Sequence, residues 1–529
     1  MKKKNLLPKD RWISCLLIAG FCLYFFASLF IVRDYGVSTD EPQERKTMYV
    51  NANYVLTKLG RESMEGIPEL DTYKDKYYGV AMQMPMAVIE LLRAPVPFVY
   101  FCRHMYTFSV CLIGYAAFFL LCKRIFHSNM LALLGTVMIA LYPRFFAEQF
   151  YNVKDMIFVA MYMISMWATV QLIESNFSKK WVFLFSIIVA LTTNVRIVGF
   201  IFMGLVIGYL WVICVLNNLK KIDDNGLTYR RSVLISVIMI ALYFVVLVIS
   251  MPGTWSNPLQ GILDTFIRFS DYPGGGNVVF MGEVMENTEI PWYYIPVWML
   301  ISIPIWYILL FFVAVYQVTK KTAAQVKNKE IWNTVLKYKY LIWSVCLAAV
   351  PWITIAVKGA NLYNGWRHCY FLVPPIILFV LYGVDAVLKN KKKTANILLG
   401  VLIAVGLLAQ VKWIYVNHPY EMVYFNRIGR LYAADFDRDY WHLSEIRAWE
   451  YIAAHDDSEK ITVNTSGYQF FTHVLWPEEK ARVIISDNPD YYIETYRGKV
   501  GNECSKEGYE EFYSIVIDGF KVATIFKKL

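Results

Sequence analysis

Residues 181–216 read WVFLFSIIVALTTNVRIVGFIFMGLVIGYLWVICVL, and how this stretch is divided decides the arrangement of the whole chain. One crossing of about 30 Å of hydrocarbon takes roughly 20 helical residues, so the stretch is too long for a single span. The polar interruption Thr192-Thr193-Asn194-Val195-Arg196 divides it into 181–193, which is short, and 197–216. Charge tests the division, because each crossing changes sides and Lys and Arg collect in the cytoplasmic loops. With two spans here, Lys2-Lys3-Lys4, Lys123-Arg124, Lys179-Lys180, Lys220-Lys221 with Arg230-Arg231, Lys320-Lys321, and Lys389 with Lys391 to Lys393 all face one side. With one span, the later clusters fall outside.

Working outward, similar apolar runs place further spans near 13–32, 96–122, 129–149, 156–174, 232–250, 293–317, 340–357, 369–388 and 394–414, eleven in all. The 529 residues are 57% hydrophobic and 18% charged, against about 25% charged in soluble domains, which excludes a disordered, collagen-like or disulfide-stapled chain. The net charge of +10 lies in short clusters between apolar runs and so does not point to nucleic acid. Eight of the nine cysteines fall in or beside apolar segments and only Cys504 lies in a long polar region, so neither a disulfide framework nor zinc spacing is present. The fold class expected is mainly α: a polytopic bundle of about eleven helices with a small C-terminal α/β unit.

This topology puts the N-terminus in the cytoplasm and makes the first span a retained anchor, with no A-x-A-like site after it. A first loop at 34–95, a middle loop at 251–292 and a tail at 415–529 face outward. The expected organisation is a membrane domain over 1–414 and a soluble domain over 415–529. The tail carries helix-like periodicity over Trp441 to Ala454, strand-like Ile461-Thr462-Val463 and Ala481 to Ile485, and two β-rich runs flanking Asp518-Gly519, a hairpin signal.

Ionisable residues stand where they are costly. Ser38-Thr39-Asp40-Glu41-Pro42 follows the first span, and its two carboxylates suit either helix capping or proton transfer. Between the third and fourth spans runs Pro143-Arg144-Phe145-Phe146-Ala147-Glu148-Gln149-Phe150-Tyr151-Asn152-Val153-Lys154-Asp155. A charge at mid-bilayer costs roughly 3 kcal/mol unless paired or facing a wet cavity. Ahead of the tenth span stand Lys358 and Tyr363-Asn364-Gly365-Trp366-Arg367-His368. Arg103, Arg144, Lys154, Arg196, Lys358 and Arg367 thus all sit at outward ends, against the positive-inside trend. Cations kept there suit an anionic ligand, and a phosphate gripped by guanidinium groups is the natural one; intramembrane ion pairs with Asp40, Glu41, Glu148 and Asp155 are the plainer reading. Arg103, Lys154, Arg196, Arg367 and His368 form the candidate phosphate set, and His104 stands beside Arg103. In the middle loop, Trp255 and Tyr272 beside Gly274-Gly275-Gly276 suggest a lid, while Trp292, Tyr293 and Tyr294 fit an interfacial aromatic belt.

Taken together, Asp40-Glu41 after the first span, Asn152-Val153-Lys154-Asp155 before the fourth, and Tyr363 to His368 with Tyr370-Phe371 resemble the GT-C superfamily of membrane glycosyltransferases over about the first 415 residues. Within it the chain looks most like the bacterial branch related to dolichyl-phosphate-mannose protein mannosyltransferases, aminoarabinose transferases and Rgt-type galacturonosyltransferases. The resemblance implies a polyprenyl-phosphate sugar donor, a lipid, glycan or protein acceptor, and inverting transfer outside the cytoplasm of a bacterial inner membrane. It maps the first-loop acidic motif onto Asp40 and Glu41, with Asp40 as base, and the second-loop acid onto Asp155. Trp255, Tyr272, Tyr363 and Trp366 would face substrate. No cofactor follows from it, and a divalent cation stays open. A transporter or flippase for a lipid-linked saccharide is the alternative, which broken helices with inverted repeats would favour.

Overall fold

The structure, a computed structural model, describes residues 8–219, 227–270, 276–326 and 331–529. Helix occupies each of the eleven predicted spans, and the boundary at Arg196 is real: helix Lys179–Val195 ends there, and Ile201–Asn218 begins after a 3-10 turn over Ile197–Phe200. Among the described residues, seven segments are continuous, long and apolar enough to cross a membrane: Val96–Phe126, Asp155–Glu174, Ile197–Asn218, Tyr229–Ile249, Lys339–Lys358, Arg367–Lys389 and Lys393–Asn417. Pro8–Ile31 and the 17-residue Lys179–Val195 are two more helices of the set.

The predicted spans 129–149 and 293–317 are not straight. Asn129–Ala140 meets Pro143–Tyr151 at 67°, and Tyr294–Ser302 meets Ile305–Ala323 at 116°. Pro143 and Pro304 stand at the two breaks. A proline has no N–H to donate and its ring clashes with the preceding turn, so the chain leaves the helical path there. The first break turns the short helix Pro143–Tyr151, buried at every residue, across the end of the bundle.

Opposite ends of the bundle differ in chemistry. At one end, Arg124 pairs with Glu174, Tyr340 donates to Glu174 (3.2 Å) and Arg231 donates to the carbonyl of Asn176 (2.7 Å). At the other end lie Asp155, Arg196 and Arg367. Between them the helices pack closely: a Cβ at Gly114 would stand 2.7 Å from the Ala160 Cα, so a small residue lets Val96–Phe126 and Asp155–Glu174 approach.

The first loop carries helix Glu41–Lys58, and the middle loop carries helix Pro258–Ser270 and a hairpin pairing Asn277–Phe280 with Glu283–Glu286. Tyr272 lies outside the described residues. The last long helix ends at Asn417, yet the soluble fold does not begin there. Residues 420–443 form a strap packed into the bundle: Asn426 donates to the carbonyls of Leu300 (2.6 Å) and Ile303 (2.8 Å), and Tyr424 offers its carbonyl to Arg144 (3.1 Å). Only from Ser444 does the α/β unit proper start. Helix Ser444–His455 buries Ile446, Trp449 and Ile452. Five strands follow in the order Val483–Ile485, Ile461–Thr465, Tyr491–Thr495, Phe520–Lys528, Tyr509–Ile517. The first three are parallel neighbours and the last two join antiparallel. The hairpin expected at Asp518-Gly519 is present, with Ile517 opposite Phe520 and φ of 50° and 90° at the two turn residues, the left-handed pair such a turn requires.

Candidate active site

Helix Glu41–Lys58 opens with Pro42 in its first turn, where the missing N–H costs nothing. Asp40 occupies the N-cap position, but its side chain makes no capping bond. It turns away and accepts from Arg367 Nη1 at 2.7 Å, with 36% of the side chain exposed. Glu41 goes the other way. Fully buried, it accepts from the Ser38 N–H (2.8 Å) and lies 2.9 Å from His104 Nε2. The two neighbours therefore divide the alternatives between them: Glu41 ties down the chain, and Asp40 is left facing solvent.

The turn at Asn152 sets the second group. Asn152 Oδ1 accepts from the Asp155 N–H (2.8 Å), and its amide donates to Glu148 (2.7 Å) and to Asp155 Oδ2 (3.2 Å). Asp155 is thereby aimed at two cations, Arg196 on one oxygen and Arg367 Nη1 at 3.0 Å on the other. Lys154, the preceding residue, lines the cavity, where it pairs with Glu44 at 2.7 Å and lies 3.4 Å from the Tyr78 ring centre. Arg367 is 2% exposed and bridges Asp40 and Asp155, so three segments far apart in sequence meet on one guanidinium.

These groups line a cavity of about 410 Å³ whose walls include Asp40, Gln43, Glu44, Asp75, Lys154 and Arg196, with Tyr363, Arg367 and His368 opposite. Tyr363 stands edge-on to His368 at 4.6 Å between ring centres. A Cβ at Gly79 would collide with the Asn194 carbonyl, so glycine is what lets the first loop close over the Arg196 turn. Lys154, Arg196 and Arg367 line the cavity together with three acids, of which Asp40 is the most exposed. That combination suits a phosphate ester beside a proton acceptor.

Several predicted residues are placed elsewhere. Arg103 is 1% exposed and donates to Gln83 (3.0 Å), with no face on the cavity. Trp366 is buried and donates to Ser302 (2.9 Å), and Trp255 donates to the Val248 carbonyl (2.9 Å) beside Tyr54; neither lines the cavity. Glu41 is likewise walled off, and Asp155 acts on the cavity through the arginines it holds. For the tryptophans and Arg103, demand for a buried hydrogen-bond partner outweighed position in the sequence.

The strap supplies residues that were not anticipated. Trp441 places its ring 4.5 Å from the Arg367 guanidinium, and Thr39 Oγ1, adjoining Asp40, donates to the Trp441 carbonyl (3.2 Å). Tyr440 and Tyr370 both donate to Glu148 Oε1, at 3.1 and 2.8 Å. At the strap's entry His418 lies between Asp34 (3.0 Å) and Glu421 (2.7 Å). Burial pushes the His418 pKa down, but bonds and charge from Glu421 and Asp34 outweigh it and hold the imidazole above its ordinary value. Among the described residues no group of three His, Cys, Asp or Glu is gathered to hold a metal ion.

No family model matches the chain, and no curated protein matches it. Solved structures similar to it include ArnT from Cupriavidus metallidurans bound to undecaprenyl phosphate, with a TM-score of 0.42, and the same protein in the apo state, at 0.44. Each is 11% identical and covers 96% of this chain and 98% of that one.

Proposed function

We propose that this chain is an integral membrane glycosyltransferase that moves a sugar from a polyprenyl-phosphate donor to an acceptor on the extracytoplasmic side, inverting the anomeric carbon. The single observation that carries this reading is the meeting of Asp40, Lys154, Arg196, Arg367 and His368 in one cavity, from four separated stretches of sequence. Asp40 takes the acceptor hydroxyl proton as the oxygen attacks the anomeric carbon. The bond from that carbon to the phosphate oxygen breaks, and the electron pair leaves with the lipid phosphate. Lys154, Arg196 and Arg367, with His368 beside them, stabilise the charge that grows there. Each preorganised donor of this kind is worth roughly 3 kcal/mol in the transition state, and base assistance adds about 100-fold or more.

A second cavity, about 620 Å³ and almost wholly apolar, suits the donor's tail. Tyr142, Leu300, Phe311, Trp352, Leu372 and Ile376 are among its lining residues. Helix Lys339–Lys358 lines both cavities, through Trp352 in the apolar one and Ile355 in the charged one. The charge pattern supports an N-terminus in the cytoplasm and a charged cavity on the opposite face of the membrane.

The two bent spans meet half of what the transporter or flippase reading asks for, in which the same cations bind phosphate without chemistry; no internal repeat accompanies them in the sequence. Purified protein incubated with labelled polyprenyl-phosphate sugars and a membrane extract as acceptor source separates the two. Release of free polyprenyl phosphate with product formation, lost in Asp40→Asn, supports transfer. Lipid moved between leaflets with the sugar still attached overturns it.

A further inference from the structure

We propose that Asp75 and Gln43 form the subsite that reads the far edge of the donor sugar, and that this edge presents hydrogen-bond donors, hydroxyl or ammonium, and no carboxylate. The inference rests on the glycosyltransferase reading above and narrows its substrate class.

The helix that starts beside Asp40 acts as a ruler along one wall of the charged cavity. Asp40, Gln43, Glu44 and Thr47 face the same space, as residues three and four apart on a helix must. At 1.5 Å of rise per residue, Gln43 stands about 4.5 Å farther along the axis than Asp40. With the anomeric carbon at Asp40, the opposite edge of a sugar ring falls beside Gln43.

What waits there is a carboxylate held for use. Gln43 Nε2 donates to Asp75 Oδ2 at 2.7 Å and to the Tyr73 hydroxyl at 2.9 Å. Tyr73 is in turn fixed by Thr47 Oγ1 at 3.0 Å, and the Asp75 carbonyl accepts from the Tyr78 N–H (3.0 Å). Asp75 is only 6% exposed and lines the cavity, yet among the described residues no cation stands within ion-pair distance of it. The other two acids on this wall are matched, Asp40 by Arg367 and Glu44 by Lys154. A carboxylate offers about four acceptor sites, and the amide of Gln43 fills one. Burying an acid so sparsely satisfied is costly, and the cost is recovered when a ligand supplies the missing donors. A carboxylate on the sugar would instead meet an uncompensated negative charge. Lys74 lines the cavity too, but it is exposed at the mouth, where solvent and salt screen it.

The test is a panel of three polyprenyl-phosphate donors, carrying a neutral hexose, an amino sugar and a uronic acid, run on the full-length protein and its variants in vesicles. Wild type is expected to use the neutral or the amino-sugar donor at least ~10-fold better than the uronic acid, the scale of one hydrogen bond to a charged group. Asp75→Ala raises the donor KM by ~10-fold with a smaller change in kcat. Asp75→Asn, which keeps the shape and loses the charge, narrows the discrimination against the uronic acid. A uronic acid as the preferred donor of the wild type, or an unchanged ranking in Asp75→Asn, overturns the proposal. The wild-type ranking decides the charge rule even where a variant fails to fold. Turnover of no donor at all, with Asp40→Asn indistinguishable from wild type, overturns the glycosyltransferase reading itself, and this inference with it.

Discussion

Two places in the molecule gather acids, bases and hydroxyls at close quarters, and they differ in what surrounds them. At the cavity, Arg367 lies 2.7 Å from Asp40 and 3.0 Å from Asp155, and Asp40 and Arg367 open on about 410 Å³ of space. In the tail, His442 lies 2.8 Å from Thr495 Oγ1 and 3.6 Å from Glu445, and a Cβ at Gly467 would collide with Glu445, so the cluster is filled with protein. The electrostatics follow the same division. The acids at the cavity stand beside guanidinium groups. In the tail, burial pushes the Glu445 carboxyl up to about 8, while burial and then Arg497 push the His442 imidazole down to about 3, so the pair rests neutral. Catalytic residue types in contact are therefore not enough; a site also needs room for substrate and a charge for the reaction to use.

Substitutions can break this comparison, and the largest effect belongs to the cavity. Asp40→Asn should lower transfer by about 100-fold or more with the melting temperature unchanged, since the side chain is partly exposed and caps nothing. Equal turnover in both forms would remove Asp40 as base. Arg367→Met should be as damaging and should also destabilise by about 3–5 kcal/mol, because Asp155 keeps a buried charge with one partner fewer. Thermal unfolding in detergent measures the second part.

Next comes the strap. Trp441→Leu should cost about tenfold in kcat by loosening the guanidinium it covers, with Trp441→Phe restoring most of it. The decisive readout is a double-variant cycle with Arg367→Lys: additive losses would show that Trp441 does not act through Arg367. A gentler effect is expected from pH. The His418 pKa is raised by folding, so its clamp is complete below the ordinary imidazole value and weakens as pH rises through the folded one. Proteolytic cleavage of the strap should rise from pH 6 to 9 in wild type and stay level in His418→Gln.

The smallest effect is predicted for the tail cluster. Glu445→Gln should leave transfer unchanged and should match wild-type stability at pH 5. Because folding raises the Glu445 pKa, its contribution is full below the ordinary carboxylate value and is lost as pH climbs through about 8. The glutamine variant should therefore melt higher than wild type at pH 8.5. A large loss of transfer would mean that the tail cluster is a working site.

Much of this was legible beforehand, for identifiable reasons. The spans announced themselves through length and hydrophobicity, and the break at Arg196 through charge alternation. The Asp518-Gly519 turn was readable because left-handed φ at two consecutive positions admits few residues. Asp40, Lys154, Arg196, Arg367 and His368 stood out as charges in costly places, and they share one cavity. Arg103 stood out for the same reason and points elsewhere, its partner Gln83 coming from a loop with no pattern to read. Asp75 and Gln43 escaped notice because an acid and an amide in a polar loop are commonplace until burial makes them expensive. Trp441 was visible only as part of an amphipathic stretch, and nothing local said that its carbonyl would meet Thr39.

The amino-acid sequence alone was enough to specify a helical bundle with membrane-spanning segments and the small sheet at the end, since these depend on composition and on interactions between near neighbours. Which of Asp40 and Glu41 would face the cavity, which arginine would bridge two acids, and that Trp441 of a strap from the tail would cover that arginine were decided by packing alone. Those outcomes depend on contacts between residues hundreds of positions apart, and no local pattern encodes the direction in which a buried side chain finds its partner.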